Sequence, residues 1–211
     1  MIWRDRLLVA TWENLGEPDQ RREIPGYQEL LENDADQDGS ISFDEFPAEY
    51  KLFDRPEASD EGAIRMGLKQ ILSRIDANGD KKVSMLEWMI FNGLYNAMLK
   101  DHGLLSIRLG GQGDVTGSHA EFLTKQHIPE VPSPLAYRDK LYLIKNGGIL
   151  TRIDLPSGQE DYRKRIGTSG SYYASPVGVG PYVVFASRSG VITLVAADGE
   201  FKVESKNDLD E

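Results

Sequence analysis

Residues Ser133-Pro-Leu return as Ser175-Pro-Val at an offset of 42, and the offset then holds without a gap. Leu141-Tyr-Leu-Ile matches Val183-Val-Phe-Ala, and Gly148-Ile-Leu-Thr matches Gly190-Val-Ile-Thr. Each unit reads as short apolar strands split by Gly, Pro, Asn and Asp turns. A unit of about 40 residues with several strands cannot bury its apolar faces alone, so it must stack on a neighbour of the same kind.

That repeat predicts propeller-like blades, and the N-terminus belongs to the same pattern. Trp3-Arg-Asp-Arg-Leu-Leu-Val-Ala resembles Tyr137-Arg-Asp-Lys-Leu-Tyr-Leu-Ile. After that strand the chain enters an acidic zone with helical periodicity and returns to strand at Leu104-Leu-Ser-Ile-Arg-Leu109, with another strand at His119-Ala-Glu-Phe-Leu-Thr124. The expected organisation has three parts: residues 1–15 as the first strands of an interrupted blade, 16–103 as a helical insert, and 104–211 as blades. The expected class is α+β, with the insert placed between strands of a partial propeller of about three four-stranded antiparallel blades. The insert's ends must then lie about one strand spacing apart. The first residues read as mid-strand and lack the basic head and apolar core of an export signal, so the chain is expected to start partway into a longer protein.

Charge is unevenly distributed. The chain carries a net −10, and between Pro25 and Gly103 there are 16 Asp and Glu against 8 Lys and Arg. Such a surface repels nucleic acid and suits cations or a basic partner. The absence of cysteine removes disulfides, thiolate metal sites and a cysteine nucleophile. No apolar run is long enough to span a bilayer.

The acidic residues have a pattern. In the segment Asp34–Glu45, Asp34, Asp36 and Asp38 occupy positions 1, 3 and 5, Gly39 supplies a turn at position 6, Ser40 offers its carbonyl, Ser42 stands at position 9 and Glu45 at position 12. In Asp76–Glu87 the same roles fall to Asp76, Asn78, Asp80, the Lys82 carbonyl, Ser84 and Glu87. Oxygens at alternate residues, closed by a bidentate Glu, are what a hard cation with six to eight oxygen ligands requires. Both segments resemble EF-hand loops. The resemblance covers residues 25 to 100 and implies two bound Ca²⁺ ions, with a short antiparallel bridge between Ile41 and Val83. Lys81 stands where the second loop would have Gly, and Asn78 replaces a carboxylate, so the second site is expected to bind more weakly.

Helical spacing marks Tyr27, Leu30 and Leu31, then Leu68, Ile71, Leu72 and Ile75, and a longer helix from Met85 to Lys100 with Trp88, Phe91, Tyr95 and Met98 as its stripe. Ser42 with Glu45, and Ser84 with Glu87, are S-x-x-E capping patterns. Met85, Met89 and Met98 are expected in ordinary core packing; an exposed methionine-rich face would instead mark a calcium-switched interaction module.

The turn Ile153-Asp154-Leu-Pro-Ser157-Gly158-Gln-Glu-Asp-Tyr162 resembles the repeats of the quinoprotein-dehydrogenase-like (PQQ-repeat) propellers, whose pattern is A-x-D-x-x-T-G-x-x-x-W. Asp154, Ser157 and Gly158 agree; Arg152 and Tyr162 depart from the usual Ala and Trp. That family includes quinone-dependent dehydrogenases and non-catalytic scaffolds. The scaffold reading is preferred, with no catalytic or organic-cofactor residues: His102, His119 and His127 lack triad or metal spacing and are expected at surfaces or turns, and Gly110-Gly-Gln-Gly113 lacks the following Lys-Ser or Lys-Thr of a phosphate loop. A fragment of a quinoprotein dehydrogenase is the enzymatic alternative. The expected partners are calcium and either another protein or the remaining blades of a longer chain. Millimolar external calcium favours a periplasmic or other extracytoplasmic setting.

Overall fold

A computed structural model describes residues 1–12, 21–55, 64–98, 102–167 and 170–209. These residues gather into two compact units, 1–12 with 102–167 and 170–209, and 21–55 with 64–98. No described helix is long and apolar enough to cross a membrane.

The first unit holds three four-stranded antiparallel sheets. Blade 1 orders Ile2–Trp3, Arg6–Ala10, Leu104–Arg108 and Ala120–Thr124 side by side. Blade 2 is a meander of Leu135–Tyr137, Lys140–Lys145, Ile149–Asp154 and Glu160–Arg165. Blade 3 repeats it with Val177–Val179, Tyr182–Ala186, Val191–Ala196 and Val203–Asp208. This mostly β arrangement is consistent with a partial propeller.

Alternation of side chains across each strand makes both faces of blade 2 apolar. Leu141, Leu143 and Ile153 pack with Leu8 and Leu104 of blade 1. Tyr142, Ile144 and Leu150 pack on the opposite side with Val183, Phe185 and Val195 of blade 3. The repeat is also visible as a contact, since the Ser133 N–H donates to the hydroxyl of its counterpart Ser175 at 2.9 Å.

Arg152 and Tyr162, the two residues that depart from the expected turn pattern, lie against each other. The buried Arg152 guanidinium stands 4.4 Å from the Tyr162 ring centre. It donates to Asp161 Oδ2 at 2.8 Å, and to the carbonyls of Ala197 at 3.2 Å and Gly199 at 2.7 Å. Tyr162 meets Phe201 edge-on at 5.2 Å. The Arg thus gives this joint directional bonds to blade 3 as well as apolar area.

In blade 1 the chain leaves one central strand and re-enters the next. Ala10 pairs with Leu104. The Thr11 N–H donates to the Gly103 carbonyl at 2.8 Å, and the Gly103 N–H donates to Thr11 Oγ1 at 2.9 Å. A Cβ on Gly103 would stand 2.4 Å from the Thr124 carbonyl oxygen, so this closure requires glycine. The segment between the two strands therefore begins and ends one strand spacing apart.

The second unit is less helical than its periodicity predicts. Its helices are Tyr27–Leu30, Leu72–Ile75 and Met85–Met98, with 3₁₀ turns at Leu31–Asn33 and Leu68–Ile71. After Glu45 the chain makes a single turn, in which the Phe46 N–H donates to the Ser42 carbonyl. It then forms a strand, Lys51–Arg55, paired with Ile64–Gly67. Pro47 explains the difference: its ring would clash with the Phe43 carbonyl in a continuing helix, and it disfavours the helical region for Phe46. The class is accordingly mostly β with several four-stranded antiparallel sheets and few helices, where α+β with a helical insert was expected. The expected helix end at Lys100 and the boundary at 15–16 lie outside the described residues.

Two other expectations are corrected. Met85, Met89 and Met98 are 52%, 58% and 60% exposed, so they are not core. The core face of that helix is Trp88 and Tyr95, and Gly93 and Ala97 are too small to help cover the rest. His102, expected at a surface or turn, is buried two residues ahead of the strand that starts at Leu104.

Candidate metal centre

The two acidic loops follow one backbone path. Position 4 and position 6 have positive φ in both: Gln37 at 57° and Gly39 at 83° in the first, Gly79 at 80° and Lys81 at 62° in the second. Each loop therefore places one glycine and one side-chain-bearing residue in the left-handed region. The strain expected at Lys81 alone is matched at Gln37, so backbone strain does not distinguish the loops.

Hydrogen bonds repeat position by position. The position-6 N–H donates to the position-1 carboxylate: Gly39 to Asp34 Oδ2 and Lys81 to Asp76 Oδ2, both at 2.9 Å. The Asp38 N–H donates to Asp36 Oδ1 at 3.2 Å, and the Asp80 N–H to Asn78 Oδ1 at 2.9 Å. The Ser40 N–H donates to Asp38 Oδ1, and the Lys82 N–H to Asp80 Oδ1, both at 2.8 Å. Glu45 is held by the N–H groups of Ala35 and Ser42 and by Ser42 Oγ; Glu87 is held by those of Ala77 and Ser84 and by Ser84 Oγ. These bonds hold both glutamates below the usual carboxylate range; Ser42 Oγ dominates for Glu45 and the Ser84 N–H for Glu87. They also make each S-x-x-E pair a formed capping box.

The bonds that shape the loops use only one oxygen of Asp34, Asp36 and Asp38. Ligand oxygens of these three carboxylates lie within 4.8 Å of one another. Asp34 Oδ1 is buried and, among the described residues, has no hydrogen-bond partner. A buried, unpartnered oxygen on a carboxylate clustered with two others is unfavourable without a positive counterpart of its own. The all-oxygen donor set fits a hard divalent cation.

The second loop fits less fully. Asp76 Oδ1 already accepts from the Gly79 N–H at 2.7 Å, and Asp80 Oδ2 accepts from Asn78 Nδ2 at 2.9 Å. Asn78 thus removes a charge and occupies an oxygen its neighbour could have offered.

The loops are joined. Ile41 pairs with Val83 and Ser42 with Lys82 in a two-stranded antiparallel ladder, as their β-branched position-8 residues lead one to expect. The Tyr27 hydroxyl lies 3.0 Å from the Gly39 carbonyl and 2.9 Å from the Val83 carbonyl, and so reaches both loops. Burial, followed by the charges of Asp34 and Asp38, raises its pKa. Lys82 Nζ hydrogen-bonds Asp38 and stands 3.5 Å from Asp36, which lowers the Asp38 pKa and raises that of Lys82. Sequence spacing had assigned Lys82 only a carbonyl role, and Tyr27 only a helical face. The lysine's reach follows from the ladder, which sets position 7 of one loop beside the other. Gln37 could have been found by aligning the loops, where it stands opposite Gly79.

No protein-family model matches the sequence, and no curated protein matches it. Among solved structures, the crystal structure of the Myceliophteria thermophila Cps50 (Swd1) β-propeller domain is similar, with 14% identity and a TM-score of 0.35 over 52% of this chain. The match spans 42% of that domain's chain, less than half of its length.

Proposed function

We propose that this chain is a non-enzymatic calcium-binding protein, in which an EF-hand-like loop pair sits on a PQQ-like propeller scaffold that docks a partner. The observation that carries the reading is the buried, unpartnered Asp34 oxygen beside Asp36 and Asp38, in a loop whose remaining bonds already fix its shape. Asp34, Asp36, Asp38, Ser40, Ser42 and Glu45 would hold one ion, and Asp76, Asn78, Asp80, Lys82, Ser84 and Glu87 a weaker second. Lys82 Nζ reaches Asp38 and Asp36, and a bound divalent cation would supply a positive counterpart to the Asp34 oxygen and replace the lysine at the other two. The protein's own contribution is to pre-form the loops through backbone N–H groups and to couple them through the Ile41–Val83 ladder. Titration calorimetry with CaCl₂ on the intact chain tests this. Two sites are expected; Asp34→Ala should remove the tighter one and Asp76→Ala the weaker. Absence of heat and of calcium retention in equilibrium dialysis would end the proposal.

One observation favours a second reading, a calcium-dependent interaction module. Met85, Leu86, Met89, Ile90, Leu94 and Met98 are each more than half exposed on one helix that leaves the second loop. Unchanged solution scattering and unchanged ANS fluorescence on adding calcium would remove it.

A further inference from the structure

The repeat places two equivalent joints in the first unit, and their polar chemistry differs. At the joint of blade 2 with blade 3, the carbonyl of the buried Ala197 accepts from the Tyr142 hydroxyl at 2.8 Å and from Arg152 at 3.2 Å. Arg152 also shares Asp161 with Lys140, at 2.8 and 2.9 Å. Tyr142 and Arg152 are cross-strand partners, so both donors leave one face of blade 2 at the same level.

Blade 1 has the same frame with other side chains. Aligning Trp3–Ala10 with Tyr137–Ile144 puts Leu8 in the place of Tyr142 and Arg6 in that of Lys140. Leu8 pairs with Ser106 as Tyr142 pairs with Arg152. One turn bond recurs in all three blades: the N–H groups of Leu109, Leu155 and Ala197 donate to the carbonyls of Asp5, Asp139 and Pro181 at 2.7, 3.0 and 2.8 Å. Leu155 is therefore the counterpart of Ala197. At the joint of blade 1 with blade 2, its carbonyl meets leucine and serine in the places of tyrosine and arginine. Leucine has no donor, and serine is too short to take the arginine's part. Among the described residues the Leu155 carbonyl accepts no hydrogen bond, although Leu155 is only 8% exposed. A buried carbonyl without a donor is rare and unfavourable.

A cleft of about 510 Å³ opens at this joint, with Trp3, Leu8, Phe122, Leu123 and Pro156 in its walls and Leu155 at its edge. That is the size range of ligand sites. Arg4, Asp5, Arg6 and Glu121 supply its charges. Arg4 is held by Asp139 at 3.2 Å, and Arg6 by Glu121 and by Ser106 Oγ. Asp5 has no ion-pair partner among the described residues. Two arginines thus stand against three carboxylates, and the cleft favours a cation.

We propose that this cleft takes the guanidinium of an arginine side chain carried by a protein partner. The guanidinium donates to the Leu155 carbonyl and shares Glu121 with Arg6, as Arg152 shares Asp161 with Lys140 at the neighbouring joint. Its planar fork of five donors serves a carbonyl and a carboxylate together, which an ammonium does less well. The methylenes of the side chain cover the apolar walls. The proposal names the group recognised by the partner-docking scaffold proposed above and does not depend on calcium.

The test is NMR titration of the intact ¹⁵N-labelled chain in EDTA with N-acetyl-L-argininamide up to about 10 mM, because a lone guanidinium of this size binds with a dissociation constant on the order of 1 mM. Saturating shifts are expected at the amides of Ser106, Glu121, Leu155 and Ser157. N-acetyl-L-citrullinamide keeps the shape without the charge, and N-acetyl-L-lysinamide keeps the charge without the fork; both should bind at least several-fold more weakly. Glu121→Gln, at an exposed side chain, should weaken the arginine probe about tenfold, the worth of one charge-assisted hydrogen bond. Ser106→Arg supplies from within the blade what blade 2 already has, and should abolish probe binding with the circular dichroism spectrum kept. Where that variant does not fold, Glu121→Gln and the citrulline arm decide. No shifts, shifts only outside the cleft, equal binding of either analogue, or undiminished binding to Glu121→Gln each overturn the proposal. Free L-arginine binding tenfold tighter than the capped probe also overturns it, since the cleft would then be an amino-acid site. A chain that binds no calcium but gives the expected shifts leaves this proposal standing.

Discussion

Replacing Asp34 by Asn separates the structural and metal-binding roles of the first loop. The Gly39 N–H donates to Asp34 Oδ2 at 2.9 Å, a bond that an amide oxygen can also accept. The other carboxylate oxygen is buried and without a partner among the described residues, and an amide NH₂ in its place would put a donor into the cluster with Asp36 and Asp38. Without calcium the substitution should therefore be neutral to stabilising, by up to about 1 kcal/mol, the net worth of one hydrogen bond. With calcium it should remove the first site's share of the response. A ligand present at about 100 times its dissociation constant stabilises the folded form by about 2.7 kcal/mol. For a unit of about 60–100 residues each kcal/mol moves the melting temperature by about 4–8 °C, so the first site should raise it by roughly 10–20 °C. The assay is calorimetric melting of parent and variant in EDTA and in millimolar CaCl₂. A variant that melts several degrees lower in EDTA would show that the carboxylate is structural, and a full calcium shift in the variant would show that the first loop is not the site.

Other perturbations have equally definite outcomes. Gln37→Gly and Lys81→Gly each relieve a left-handed residue, and should raise the stability of the insert by about 0.5–1 kcal/mol after the added chain entropy is subtracted; urea midpoints should rise by similar amounts in both, and a gain at Lys81 alone would contradict the matched backbone paths. Trp88→Ala empties a site 1% exposed and removes the Nε1 hydrogen bond to the Pro25 carbonyl, so the insert should lose about 3–5 kcal/mol in denaturant melts. Asp154 is held down to about 2, first by Ser157 Oγ, then by Lys140 and the Ser157 N–H. Its folded pKa lies below its unfolded one, so its stabilisation is complete above the ordinary Asp range of about 4 and is lost as pH falls through about 2; NMR titration of its carboxyl carbon should show this, and a midpoint near 4 would refute the bonded turn. Arg152→Met leaves Asp161 with Lys140 alone and removes the Gly199 carbonyl's donor, while the Ala197 carbonyl keeps its bond from the Tyr142 hydroxyl; it should cost the β unit about 1–3 kcal/mol in denaturant melts.

The β unit was legible because its information is local and repeated. Strands at Lys140–Lys145 and Tyr182–Ala186 come from residues that match across 42 positions, and the short Ile2–Trp3 and Arg6–Ala10 pair was found through its likeness to the same stretch. Loop chemistry was legible for a similar reason, since ligand spacing in a 12-residue loop is a property of sequence. What failed was the helical reading around the loops. Ser42 and Glu45 form the cap of a helix, but Pro47 allows only one turn, and the apolar Leu52 and Phe53 are buried from a strand instead. Met85, Met89 and Met98 share the apolar character of Trp88, and periodicity cannot say which of two apolar faces a small unit can cover. Contacts that depend on the assembled ladder, such as Lys82 reaching Asp38, have no counterpart in linear spacing.

The placement of the insert has a physical consequence for calcium. Opening a hairpin to admit about 90 unstructured residues costs about 3 kcal/mol in closure entropy relative to a tight turn. That penalty falls if the insert holds its own ends together. Each unit shows such ends separately. In the blade, Thr11 and Gly103 are doubly hydrogen-bonded. In the insert, Arg22, Glu23 and Ile24 line one cleft with Asn92, Tyr95 and Asn96, and Trp88 bonds the Pro25 carbonyl. An ordered insert is thus a short bridge to the blade, and a disordered one is a long loop. Chelation that loosens the insert should lower the melting temperature of the β unit as well, by no more than the closure term, or roughly 6–12 °C for a unit somewhat over 100 residues. Replacing residues 12–102 by a two-residue Asn-Gly turn should abolish that sensitivity while keeping the β unit folded. If the β unit melts at the same temperature with and without EDTA in the full chain, the two units are thermodynamically independent and the insert acts as a passenger.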